Sequence, residues 1–474
     1  YALSGGFIVL RYNKTRKLFE EEFYHYELQD VKEPQLYRDF FPYDDVPKIV
    51  FNNRVMPMDP PEDIWITDTT FRDGQQSLPP FEVDDIVHIF DLMHKLDGNT
   101  GLIRQTEFFL YTDRDRAAIE KCLARGYKYP EITGWIRAVE NDFKLVKAMG
   151  LKETGILTSV SDYHIFLKLK WTRRQAMDNY LKIVKTALDN GIIPRCHFED
   201  ITRADIYGFV VPFASELMKL AQQYKMPVKI RMCDTMGYGI AMPGAALPRN
   251  VNGIVYNLHH FAGVPSEWLE WHGHNDFYRG LTNGIYAWMY GACSVNAAWL
   301  GIGERTGNTP IEALIMEYIS LRGRDGKETL DTTIITEIAR YMSQKMGVEI
   351  AAKQPLVGKN FNVTKAGIHA DGLMKNEEIY NIFDTKKVLN RPIMVGITDK
   401  SGVSGIAFWI NAFFEIPDAE KLAKDNPGVV KIKDIVDKQY VDGRIIGIAD
   451  EEMITWVKEY LPEIYKKFGQ NAGV

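Results

Sequence analysis

Cysteine is scarce in this chain. The four present in 474 residues, Cys122, Cys196, Cys233 and Cys293, show no CxxC spacing, which argues against a disulfide scaffold or a cysteine-zinc module. Positive charge is not in excess either. Lys and Arg number 57 against 63 Asp and Glu, a net −6, so neither nucleic acid nor an anionic membrane surface is an expected partner. No apolar run approaches the ~20 residues of a membrane helix; Tyr207 to Ala214 is typical of the longest. Internal repeats and low-complexity tracts are missing. The first residues lack the charged-then-apolar order of a secretory leader. These absences lead to the expectation of a cytoplasmic globular protein.

What remains is a composition, 46% hydrophobic and 25% charged, able to build a large core. The length suits one catalytic domain of roughly 250–300 residues with smaller additions. Residues 1–60 form an extension holding twelve aromatics, one residue in five against 12% overall. Such a segment packs on its own domain or anchors a subunit interface. The proline-rich stretch 56–63 reads as a stiff linker.

From residue 64 short apolar runs alternate with helical stretches. Strands are expected at 64–67, 102–109, 131–136, 155–160, 192–198, 228–233, 267–272 and 294–299. Helices are expected near 82–97, 113–125, 138–149, 172–190, 203–225, 244–262, 278–291 and 310–321. Eight β-then-α units over residues 61–325 predict a (β/α)8 TIM barrel. A doubly wound sheet is the competitor, but no GxGxxG turn follows the first strand. Residues 326–474, opening on a helix at 331–346, read as a small, mainly helical C-terminal subdomain. This tail looks too short for a large core of its own.

In such barrels chemistry gathers at the C-terminal ends of the strands. The first strand ends in Asp68-Thr-Thr-Phe-Arg72-Asp73-Gly74-Gln75. The seventh ends in His272-Gly-His274-Asn-Asp, and the two-residue period sends both imidazoles to one side. Two imidazoles and a carboxylate can hold a divalent ion and leave positions open. On the fifth strand Arg195, His197 and Glu199 share a face. Inward charge is costly unless it meets ligand, water or another charge. An internal salt bridge and a substrate-carboxylate site at Arg195 are therefore both open readings. Glu107, Asp234 and Thr235 add polar groups at the rim, and Gly301-Ile-Gly-Glu304-Arg305-Thr-Gly-Asn308 follows the eighth strand.

TDTTFRDGQQS, HFEDITRAD, CDTMGYG, HGHND, GIGERTGN and AGIHADG, in that order, resemble the RDG-bearing, metal-dependent barrel enzymes that condense acyl-CoA. Homocitrate, isopropylmalate, citramalate and Re-citrate synthases belong to that family, and hydroxymethylglutaryl-CoA lyase is more distant. The match covers roughly 64–410. It implies that Asp73, His272 and His274 ligate the metal, with Asn308 close by. It further implies that Arg72 is catalytic, that Gln75, Glu107, Arg195 and Thr235 bind substrate, and that Glu199, or His369 assisted by Tyr380, moves the proton. His369 and Tyr380 reach a barrel mouth in that family, and a homodimer is the expected assembly. The metal is expected to be Mn²⁺, with Mg²⁺, Co²⁺ or Zn²⁺ permitted by mixed N/O ligation.

The resemblance implies condensation of acetyl-CoA with a 2-oxo acid, the ion acting as Lewis acid. An arginine at position 195 disfavours the apolar 2-oxoisovalerate and leaves two dicarboxylates, oxaloacetate and 2-oxoglutarate. Phe108, Phe109 and Trp135 would shorten the pocket if they face it, which favours oxaloacetate and citrate. Homocitrate synthesis from 2-oxoglutarate is the alternative. A lyase is disfavoured because GERTGN lacks the reactive cysteine that lyases carry there.

Overall fold

Alternating inward polar and outward apolar residues close eight parallel strands into a barrel. The computed structural model describes residues 9–13, 18–22, 25–365 and 367–469. An antiparallel pair, β1 (Val9–Asn13) and β2 (Leu18–Glu22), precedes the barrel. The barrel strands are β3 (Trp65–Asp68), β4 (Ile103–Phe109), β5 (Glu131–Ile136), β6 (Glu153–Ser159), β7 (Ile193–Glu199), β8 (Lys229–Asp234), β9 (Leu269–Gly273) and β10 (Ser294–Ala297). They are neighbours in chain order, and β10 closes on β3.

A helix follows each strand: α1 (Val83–Asp97), α2 (Asp113–Leu123), α3 (Phe143–Ala148), α4 (Arg173–Asp189), α5 (Val211–Tyr224), α6 (Val251–Tyr256), α7 (Gly280–Met289) and α8 (Ile311–Arg322). Local chemistry sets their ends. Thr112 and Thr172 open α2 and α4 with capping boxes, and Gly98 closes α1 in the left-handed region, where a Cβ would cost energy.

Cys196, Phe198, Ile230, Met232, Trp271 and Val295 are fully buried on the helix-facing side of their strands. Phe198 stacks on Phe213 of α5 with centroids 5.2 Å apart. Their alternates, Arg195, His197, Arg231, Glu270, His272 and Asn296, are equally buried and face inward. The barrel interior is thus polar, and its charges neutralise one another.

Part of the aromatic extension packs on its own barrel, while Tyr43 and Phe51 stay exposed. Tyr26 is buried, stacked on Tyr207 at 4.9 Å, and the Arg173 guanidinium donates to the Gln29 carbonyl. Tyr1, Phe7, Phe23 and Tyr24 lie outside the described residues.

The chain divides into two units, Tyr1–Asp331 and Thr332–Val474. The second corrects one expectation, because it has a core of its own. Ile406, Trp409, Ile410, Phe414, Val429, Ile432, Val436, Met453 and Val457 pack together there. All but Phe414, which follows the first of them, come from three helices, Val403–Phe413, Pro427–Val441 and Asp450–Tyr460.

Candidate active site

Three ligand-type side chains converge at the C-terminal end of the barrel. Asp73 stands in the turn after β3, His272 on β9 and His274 just beyond it, all buried, with one ligand atom from each within 4.8 Å of the others. The two Nε2 atoms are 3.3 Å apart, and His274 Nε2 lies 3.9 Å from Asp73 Oδ2. Asn308 joins them, donating from Nδ2 to Asp73 Oδ2 at 2.7 Å. Gly303 makes this approach possible: a Cβ there would meet Asn308 Nδ2 at 2.3 Å, and its φ of +149° lies where side chains are rarely accommodated.

The donor set suits a divalent ion. His272 Nδ1 faces Asn296 Oδ1 at 2.8 Å, which places the proton on Nδ1 and leaves Nε2 as a lone pair. His274 Nδ1 and Asn308 Oδ1 are buried without a hydrogen-bond partner among the described residues. Burial and the neighbouring His274 lower His272 to about 3, so it stays neutral and able to ligate. Burial alone would raise Asp73, but Arg72 and both histidines outweigh it and hold the carboxyl at about 2.

Arg72 borders the trio. Its Nε donates to Glu107 Oε2 at 2.7 Å and its Nη1 to Asp73 Oδ1 at 3.2 Å. The guanidinium lies over the Trp135 ring, 5.8 Å from the centroid. Glu107 also takes a bond from Arg231 Nη1 at 2.8 Å and faces His197 Nε2 at 3.4 Å. Burial works to raise the Glu107 carboxyl, but Arg231 and Arg72 prevail and hold it well below the usual range. Gly155 leaves room for this cluster, since a Cβ there would sit 2.5 Å from His197 Nε2. Arg231 was missed in the sequence reading. Its signal was the alternation Lys229-Ile-Arg231-Met-Cys233, which puts it on the inward face.

The other expected residues are placed differently. Arg195 offers no open cation: it is buried, its Nη2 donates to Glu153 and Gln105, and its Nε lies 3.9 Å from Glu270. This is the internal salt bridge, because Glu153 at the start of β6 projects inward beside it. Gln75 ties its own loop, donating from Nε2 to the Phe71 carbonyl and accepting from the Phe81 N–H. Thr235 Oγ1 accepts from the Asp200 N–H at 2.8 Å.

Glu199 ends β7 beside His164 at 3.0 Å, Lys168 at 3.4 Å and the Ser159 hydroxyl. Burial tends to raise its carboxyl, but the His164 bond and charge, with Ser159 and Lys168, hold it at about 2. In the second unit the His369 and Tyr380 rings lie side by side, centroids 4.3 Å apart.

The three aromatics expected to shorten the pocket separate by strand period. Phe109 shares the face of Glu107 and meets Trp135 edge-on at 5.4 Å. Phe108 points to the opposite side and packs on Phe71 at 5.1 Å.

Residues 63–342 match the HMGL-like family. The chain is 53% identical to a citrate (Re)-synthase of Clostridium kluyveri, over 95% of this chain and 99% of that one. A citrate (Re)-synthase of Syntrophus aciditrophicus is 54% identical over 96% of this chain and 72% of its own. A 2-phosphinomethylmalate synthase of Streptomyces hygroscopicus is 34% identical over 94% and 99%. With the barrel, the buried ligand trio and these likenesses in agreement, the chain belongs to the HMGL-like family, in the branch that holds the citrate (Re)-synthases.

Proposed function

We propose that this chain is an acyltransferase that condenses acetyl-CoA with oxaloacetate, releasing citrate and CoA. The observation that carries the reading is the buried Asp73–His272–His274 trio beside Arg72, in a chain 53% identical to a citrate (Re)-synthase. Attack on the Re face is part of the proposal, supported by the two relatives of that name.

Asp73, His272 and His274 would hold a divalent ion, with Asn308 beside them, and such an ion when bound polarises a ketone as a Lewis acid. Arg72, oriented by Glu107, offers positive charge where the ketone oxygen becomes negative. Phe109 and Trp135 form an apolar wall beside Arg72 that suits the shorter of the two dicarboxylates. Glu199, held at about 2, is ionised at neutral pH but weakly basic. The candidates for the proton-removing role remain Glu199 and His369 with Tyr380 beside it, as the family resemblance implies.

The base takes a proton from the acetyl methyl group. That carbon bonds to the ketone carbon, whose oxygen receives the displaced electron pair and then a proton. Water cleaves the thioester C–S bond, and CoA leaves as the thiol. Mn²⁺ is the proposed ion, a homodimer the proposed assembly and the cytoplasm the proposed location. No helix among the described residues is long and apolar enough to cross a membrane.

The test is CoA release from acetyl-CoA, with Mn²⁺ and with chelator, across oxaloacetate, 2-oxoglutarate, pyruvate and 2-oxoisovalerate. Chelator-sensitive turnover confined to oxaloacetate is expected, and labelled acetate then reports the face attacked. Preference for 2-oxoglutarate would replace citrate by homocitrate.

A further inference from the structure

A second trio of the same composition lies at the other end of the barrel. Asp59 belongs to the linker that enters β3, six residues before Trp65. His259 and His260 lie in a turn that follows α6 and precedes β9. Segments leading into strands sit at the N-terminal face of a (β/α)8 barrel, opposite the catalytic rim. Asp59, His259 and His260 bring one ligand atom each within 4.8 Å of the others, the only such group besides the catalytic trio among the described residues.

Asp59 Oδ2 is 3.1 Å from His260 Nε2 and 3.8 Å from His259 Nε2. In the catalytic trio the His274–Asp73 separation is 3.9 Å, and the two imidazole Nε2 atoms are 3.3 Å apart. Ligand atoms each ~2.0–2.2 Å from a zinc ion stand roughly 3.2–3.6 Å apart at tetrahedral angles. The backbone also favours the gathering. Adjacent residues of an α-helix diverge, but 257–261 form a wider π-turn, closed by Ala262 N–H on the Asn257 carbonyl at 3.1 Å. The two imidazole centroids come within 4.6 Å.

Each ligand is separately held. His259 Nδ1 faces the Val264 carbonyl at 2.7 Å, which fixes the proton there and leaves Nε2 as a lone pair. The His260 ring rests on Tyr256 at 4.3 Å, and its Nε2 is buried without a hydrogen-bond partner of good geometry. Asp59 is anchored through its N–H to the Met289 carbonyl at 3.0 Å. Its side chain is 48% exposed, leaving a route in for an ion.

We propose that Asp59, His259 and His260 form a second divalent-metal site of the zinc class, clamping the linker into β3 against the turn that leads into β9. Two imidazoles and one carboxylate, completed by water, suit Zn²⁺ better than a hard cation such as Mg²⁺. The site takes no part in the condensation, and it stands whichever oxo acid the enzyme uses.

The test counts zinc on the full-length chain. Wild type, Asp59→Asn and His259→Gln/His260→Gln are equilibrated with Zn²⁺ alone, freed of loose ion and measured by elemental mass spectrometry. Wild type should retain one more zinc per chain than either variant. Asp73→Asn/His272→Gln, which disables the catalytic trio, should retain that same ion, and Zn²⁺ should raise its thermal midpoint. Turnover of Asp59→Asn with Mn²⁺ supplied should match wild type. If the double-histidine variant fails to fold, Asp59→Asn, which keeps the side-chain shape, decides. Equal zinc in wild type and Asp59→Asn overturns the proposal, as does zinc-free Asp73→Asn/His272→Gln.

Discussion

Arg72 and Glu107 are joined by a 2.7 Å hydrogen bond from Nε to Oε2, in a part of the barrel where both side chains are buried. The bond fixes the plane of the guanidinium, so that Nη1 reaches Asp73 and one face lies over Trp135. Glu107 was expected to bind substrate. Its contacts support the proposal that it aims Arg72.

Glu107→Gln should therefore lower kcat by about 10²-fold through misplacement of Arg72, with a smaller change in KM for the oxo acid. Loss of the charge shared by Arg72 and Arg231 should also cost roughly 3 kcal/mol of stability. Steady-state kinetics and a denaturant titration read the two effects separately. A raised KM at unchanged kcat would return Glu107 to substrate binding.

Asn296 touches the Asp73–His272–His274 trio through His272 Nδ1. Asn296→Ala should weaken activation by Mn²⁺ about 10–100-fold, with turnover restored at high metal concentration. His272→Ala should abolish turnover at any metal concentration while the circular dichroism spectrum stays unchanged.

Arg195→Met should cost about 3–5 kcal/mol, because Glu153 is left buried with only Lys229 as cation. Adding Glu153→Gln should recover part of that loss. The ranking of oxo acids should not move in either variant, and a swing toward 2-oxoisovalerate in the CoA-release assay would give Arg195 back its substrate role.

Phe109 and Trp135 share the wall beside Arg72. Phe109→Ala should lengthen the pocket and raise the rate with 2-oxoglutarate relative to oxaloacetate by about 10–200-fold, the discrimination available from one methylene. Phe108→Ala, on the opposite face of β4, should change stability and leave that ratio alone.

Asp68 gives a pH signature. Burial raises its carboxyl from 3.8 to about 6, against the opposing bonds from Thr106 and Thr70. The folded chain then holds this proton more tightly than the unfolded one. Its contribution to stability is full below about 3.8 and is lost as pH rises through about 6. Asp68→Asn should remove a loss on the order of 1–3 kcal/mol across that window. Denaturant midpoints at pH 4, 5, 6 and 7 check this, and parallel curves for the two chains would contradict it.

Much of the barrel was legible because its short strands alternate regularly with helical stretches, and because strand period alone puts His272 and His274 together. Arg195 was harder. The strand carrying its partner was expected to begin at Gly155, two residues after Glu153, so the neutralising carboxylate lay outside the expected strand. Arg231 sat unmarked between apolar neighbours in Lys229–Cys233. Asp59 and His260 are two hundred residues apart, and only closure of the barrel makes them neighbours. The core of the second unit is spread over several helices, and none of them alone announces a domain.

The ionic interior of the barrel also limits how this protein can change over generations. Arg231 is shared between Glu107 and Glu270, and Arg195 rests on Glu153. Replacing one member strands the charge of another where no water can reach it. Lineages descending from this chain should therefore substitute these positions jointly, Arg195 with Glu153 and Arg231 with its two glutamates, while the helix-facing residues beside them drift one at a time.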